Sequence, residues 1–147
     1  MKSVFVLWNS VLDFSNEINK FLNNEFYVEK TNYINLEQYY SQFVNDLYYS
    51  EKMEPSKIEA KLLTMLKYPQ RAIVYNIVNI EKPTDIFNQY KKRYVCKEIE
   101  NAKQYLRETY RTKVPFYTFD TVIHASDDEI EYQNNNRIIS LYEDLTR

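Results

Sequence analysis

No glycine occurs anywhere in the 147 residues of this chain. Any turn that needs a positive φ must therefore be made by asparagine, aspartate or a residue held there under strain, because only glycine enters that region without a Cβ clash. The 15 asparagines are the natural substitutes. The same absence removes two large function classes. Neither a Walker-type phosphate loop nor a dinucleotide-binding fingerprint can be built without glycine.

The composition is that of a globular chain, 44% hydrophobic and 27% charged, and long enough to bury a core as one domain over 1–147. A formal charge of -2 and a pI near 5.5 give no electrostatic grip on nucleic acid, and none is expected as a partner. The 15 Tyr and 8 Phe suit cores and subunit contacts, so a homo-oligomer is expected. Cys96 is the single cysteine, which excludes an internal disulfide and a cysteine-based zinc site. It reads as a small hydrophobe on a helix in a reducing compartment. No apolar run approaches the ~18 residues that span a bilayer. The opening MKSVFVLWNSVLDF lacks a cleavage-site pattern and reads as a first strand, so a cytoplasmic protein without membrane contact is expected.

Along the chain, SVFVLWN (3–9) is nearly continuous apolar sequence and suits a strand buried on both faces. LDFSNEINKFLNNE carries apolar residues at helical spacing, and a second strand follows near 26–34. LEQYYSQFVNDLYYS and, after Pro55, SKIEAKLLTMLKY read as helices. RAIVYNIVNI (71–80) is the clearest strand. Pro83-Thr84 then opens a polar stretch to Tyr110, predicted as one or two helices. A fourth strand is predicted near 117–124, and a last helix follows it. The order β α β α α β α β α predicts an α+β sandwich of ferredoxin-like topology, a four-stranded antiparallel sheet with helices mainly on one face.

The only histidine, His124, stands where the last strand meets a helix start, in TVIHASDD. Val122, Ile123, His124, Ser126 and Asp127 resemble the last core strand of the nucleoside diphosphate kinase family, Asn-Val/Ile-Ile-His-Gly-Ser-Asp. Other segments resemble that family in order: VFVLWN its first strand, LEQYYSQF a helix with a nucleotide-site tyrosine, LLTMLKYPQRAIVYNI a helix-turn-strand, LRETY its Ile-Arg-Gly-Asp-Phe, and RIISLYEDL its closing helix. The resemblance implies phosphotransfer from a nucleoside triphosphate through a phosphohistidine at His124, with Mg2+ carried by the nucleotide and a nucleoside diphosphate as acceptor. It also implies a homo-oligomer. Matched onto this sequence, it makes Arg107 (or Arg111 in a shifted register), Tyr40, Arg93 and Ser126 nucleotide or phosphate contacts. Glu129 or Glu131 would orient the ring.

An imidazole suits that chemistry, since its unperturbed pKa near 6.5 leaves a neutral nucleophile at physiological pH. Ser126-Asp-Asp-Glu129 also reads as a plain capping box, with no chemistry attached. The sequence departs from the family at several places: Asn9 and Ser10 stand where the family has a phosphate-contacting Lys, and Ile138 where a shared register puts the His-orienting Glu. The Gly- and Pro-bearing nucleotide loop is replaced by CKEIENAKQY. Two readings follow, a phosphotransferase with an incomplete site or a catalytically silent nucleotide-binding or interaction module. If the register holds, Asn9→Lys is expected to raise any transfer rate.

Overall fold

A computed structural model describes residues 1–118 and 120–147. The elements run β1 (Lys2–Leu7), a 3-10 turn, α1 (Ser15–Glu25), β2 (Tyr27–Asn35), α2 (Tyr40–Tyr49), α3 (Pro55–Met65), β3 (Ala72–Asn79), β4 (Asp85–Asn88), β5 (Arg93–Cys96), α4 (Lys97–Tyr110), β6 (Ile123–Ala125) and α5 (Glu129–Leu145). Four strands form one antiparallel sheet in the order β2-β3-β1-β6, the expected α+β, ferredoxin-like arrangement.

Side chains alternate across the sheet, and the alternation explains why β1 is apolar throughout. Val4, Val6 and Trp8 join Ile73, Tyr75 and Ile77 of β3 under α2, α3 and α5. Phe5 and Leu7 join Val74 and Val78 under α1 and α4. Helices therefore cover both faces, which corrects the expectation of cover mainly on one. A strand buried on one face alone would alternate apolar with polar residues. Each fully buried aliphatic or aromatic side chain here contributes ~1.5–3 kcal/mol.

Two further expectations change. The stretch after Pro83 begins as a hairpin, β4 against β5, with the helix starting only at Lys97. The β-favouring Ile86, Phe87, Tyr94 and Val95 carry no stripe of helical period, and Asn88 closes the turn by accepting from the amides of Tyr90 and Lys91 at 2.9 Å each. The strand expected at 117–124 is regular only over Ile123–Ala125, while residue 119 lies outside the described residues. Upstream of β6 the chain is tied to the segment just after β1 by single bonds: Trp8 N donates to Val122 O at 3.1 Å and Ser10 Oγ to Thr121 O at 2.7 Å.

The positive-φ positions are filled by none of the asparagines. Among the described residues they are Glu37 (φ 48°), Lys52 (59°) and Lys92 (55°). A left-handed residue with a Cβ costs ~1–2 kcal/mol. No helix among the described residues is long and apolar enough to cross a membrane.

Candidate functional site

Because Ile123 and Ala125 of β6 enter the α1–α4 core, His124 between them projects to the opposite face, toward α2, α3 and α5. It is 5% exposed and packs edge-on against Tyr48, with ring centroids 5.5 Å apart. Its Nε2 lies 2.7 Å from Asn135 Oδ1 on α5 and 3.0 Å from Glu51 Oε2 in the α2–α3 turn. Two acceptors at Nε2 fix the proton there, so the lone pair of the neutral ring sits on Nδ1. No hydrogen-bond partner for Nδ1 occurs among the described residues. Burial pushes the Glu51 carboxyl up, but His124, Lys91 and Asn135 together outweigh it and hold it below the usual range. Lys52, one of the left-handed residues, follows Glu51 directly and helps set the turn that aims it.

The ring borders a cavity of about 360 Å³. Its cations come from three elements: Lys57 and Lys61 of α3, Lys91 at the hairpin tip, and Lys103 and Arg107 of α4. Tyr48 and the exposed Tyr90 add aromatic faces, and Glu51, Glu100 and Asp120 add acids. Arg107 is braced across the mouth of β6, donating from Nη2 to Ile123 O at 3.3 Å and pairing through Nη1 with Asp120 at 3.4 Å. A larger groove of about 860 Å³ runs between α2 and α5, lined by Asp46, Tyr49, Met53 and Leu141 among others, and it lacks any comparable group of cations.

Three residues beyond His124 a second charged group behaves differently. Asp127 is fully buried and ion-paired with Lys91, with Arg93 at 3.1 Å and with Lys103 at 3.8 Å. Glu131 pairs with Arg93 at 2.7 Å and Lys91 at 3.4 Å, and Asp128 also pairs with Arg93. Burial would raise the Asp127 carboxyl, but Lys91 and Lys103 prevail and hold it at about 2. Burial, helped by the charge of Glu51, pushes Glu131 up to about 7. Glu51, His124 and Glu131 stand close enough to bracket a cation, as do Asp127, Asp128 and Glu131. The second triplet is already neutralised by Lys91 and Arg93.

Of the residues expected at the site, the structure brings His124 and Arg107 together on the cavity. Arg93 stands behind it in the Asp127–Glu131 group, and Arg111 is exposed at the end of α4. Tyr40 is 1% exposed against Trp8 and Met65; Tyr48, two turns further along α2, is the tyrosine beside His124. Ser126 is fully buried, its Oγ accepting from Val4 N at 2.9 Å. Glu129 is exposed and accepts from Lys2 N at 3.4 Å, far from the ring. The cap of α5 is not Ser126 but Asp128, whose side chain accepts from Glu131 N at 2.7 Å. Ile138, where the shared register put the ring-orienting Glu, is core. Asn9 is buried, with Nδ2 donating to Met65 O at 2.9 Å and Gln70 O at 2.7 Å, so a lysine there would break a clamp on the α3–β3 turn. Sequence reasoning passed over Glu51, Asn135 and Lys61. Lys61 alone left a trace, as a charge interrupting the buried face Ile58, Met65 of α3.

No family model matches the sequence, and no curated protein does. The fold is similar to that of the nucleoside diphosphate kinase of Aquifex aeolicus in its orthorhombic C222 crystal form, with a TM-score of 0.53 and 15% identity over 94% of this chain and 93% of that one. It is also similar to the nucleoside-diphosphate kinase of Borrelia burgdorferi with bound vanadate and ADP, a transition-state mimic, with a TM-score of 0.51 and 11% identity over 94% and 85% of the two chains. At these identities the likeness is one of fold.

Proposed function

We propose that the chain binds a nucleoside triphosphate in the His124 cavity and accepts its terminal phosphoryl group on Nδ1. One observation carries this reading: Nε2 is held by Asn135 and Glu51, which leaves Nδ1 without a partner among the described residues, on a ring that borders a cavity rich in cations. In the transfer, the Nδ1 lone pair attacks the γ-phosphorus and a P–N bond forms. The bond to the bridging oxygen breaks, and the nucleoside diphosphate leaves with its electrons. A second diphosphate then takes the group by the reverse path. Glu51 steadies the positive charge that develops on the ring, and Arg107 neutralises charge on the phosphoryl oxygens. Mg2+ would travel with the nucleotide and shield its charge.

A silent nucleotide-binding or interaction module is the second reading, favoured by two observations. Asn9 supplies no cation from the end of β1, and Arg107 is already paired with Asp120. In either case we read the chain as a cytoplasmic homo-oligomer, a view supported by the exposed Tyr27 and Tyr33 on the open β2 edge. A sedimentation mass near the 17.9 kDa of one chain at tens of micromolar protein would end that part of the reading.

The deciding experiment incubates the protein with γ-labelled ATP and Mg2+ and detects label stable to alkali and lost in acid. Label on the wild type, its absence from His124→Ala, and its release by added nucleoside diphosphate support transfer. No label, with no ATP binding at millimolar concentration, leaves the interaction module.

A further inference from the structure

We infer that Lys61 is the cation that meets the phosphoryl group in the His124 cavity, taking from α3 the part that no residue at the end of β1 can play. The inference rests on the phosphoryl-transfer reading above. Lys61 is 3% exposed, yet it borders the cavity. Its Nζ donates to Asp120 O at 2.8 Å and stands 5.2 Å from the centre of the Tyr48 ring, which also packs against His124 and Trp8. One of the three ammonium hydrogens is thereby used, and two remain for a ligand.

The other buried or half-buried cations around the cavity are matched. Lys91 pairs with Asp127 and Glu131, Lys103 with Glu100 and Asp127, and Arg107 with Asp120. Lys61 makes no ion pair among the described residues. A buried ammonium without a counter-ion is costly to fold, and an apolar residue of the same length would fill the site better. Burial accordingly pushes its pKa down to about 8, against the pull of Asp120. What makes the position intelligible is an anion that arrives from the cavity. Lys57, one turn earlier and exposed, widens the positive approach.

The test follows labelling of the protein by γ-labelled ATP at sub-saturating concentration from pH 6.5 to 9.5. In the wild type the rate should fall as pH rises through about 8, because the ammonium loses its proton there. Lys61→Met should lower the rate by ~100-fold, as expected for loss of one charge-stabilising donor, and erase that alkaline limb. It should unfold in urea at the same concentration as wild type or higher. Lys61→Arg should recover most of the rate and carry the limb beyond the range. If Lys61→Met does not fold, Lys61→Arg decides alone, through the presence or loss of the limb. Wild-type labelling and an unchanged pH profile in Lys61→Met, with His124→Ala unlabelled, would overturn the role of Lys61 and leave the His124 reading standing. A wild type that takes no label overturns both.

Discussion

Within four residues of one another, His124 and Asp127 sit in buried polar groups built on opposite plans. Asp127 is surrounded by Lys91, Arg93 and Lys103, and its neighbours Asp128 and Glu131 share the same cations. Nearly every charge there is answered by another. His124 is held at one nitrogen only, beside a cavity on which Lys61 stands without an ion-pair partner among the described residues. The first group fastens the β4–β5 hairpin and α4 to the start of α5, which is a structural task. The second leaves Nδ1 without a hydrogen-bond partner among the described residues, on a ring that borders a cavity, and polar groups converging on a cavity mark a candidate binding site. A short stretch of sequence that reads as one signature thus holds two different arrangements, one of ion pairs and one of a ring beside a cavity.

The contrast predicts different failures. Asp127→Ala should destabilise the fold by ~3 kcal/mol in urea unfolding, at the low end for breaking a buried pair because Lys91 and Arg93 are about a third exposed. A loss under about 1 kcal/mol would mean that the ion pairs are ornamental. Asn9→Lys, which the sequence suggested as a gain, should instead cost ~2 kcal/mol, since two carbonyls lose their amide donor inside the core. It should leave labelling of His124 no faster.

A smaller effect tests the boundary between the two groups, where Glu131 touches both. Its carboxyl titrates near about 7 in the folded chain and near 4.5 when unfolded. The folded state therefore binds the extra proton between those values, and stability falls as pH rises from 4.5 through 7. Asp127 has the opposite sign: held at about 2, it contributes stability above 3.8 that is lost as pH falls toward 2. Glu131→Gln should flatten the decline between pH 5 and 8; the full shift corresponds to ~3 kcal/mol, and because Glu131 shares Lys91 and Arg93 with Asp127 the change is expected on the order of 1 kcal/mol across that range. An unaltered slope would assign the decline elsewhere. Smallest is Lys92→Gly at the hairpin, φ 55°, which relieves a Cβ clash but frees the unfolded chain; the net should be a gain under ~1 kcal/mol. A loss would show that the side chain has work of its own there.

The sheet was legible because its signals are local and strong. Continuous apolar residues in β1 and β3 announce strands covered on both sides, although the helices were expected on one. The hairpin was missed because Ile86, Phe87 and Tyr94 lie exposed, so no burial period separates strand from polar helix there. His124 and Arg107 could be picked out from their surroundings in sequence; Glu51 and Asn135 could not. Glu51 reaches the ring from the distant α2–α3 turn and Asn135 from α5, 11 residues on, and nothing local in SEKM or QNNN distinguishes them from solvated surface. Tyr40 and Tyr48 differ only in which turn of α2 they occupy, a distinction set by how α2 lies over β1.

The central position of β1 has a kinetic consequence. It pairs with β3 on one side and with β6 on the other, where Val6 faces His124 from the opposite end of the chain. Closing that contact confines almost the whole polypeptide in a single loop, so it carries the largest chain-entropy barrier of any strand pairing here. The β2–β3 and β1–β3 pairs span shorter loops and can form without it. The histidine strand should then be the last to dock during refolding. A ligand seated on Nδ1 would report arrival of the finished chain, and mutations in β6 should speed unfolding while leaving the folding rate almost untouched.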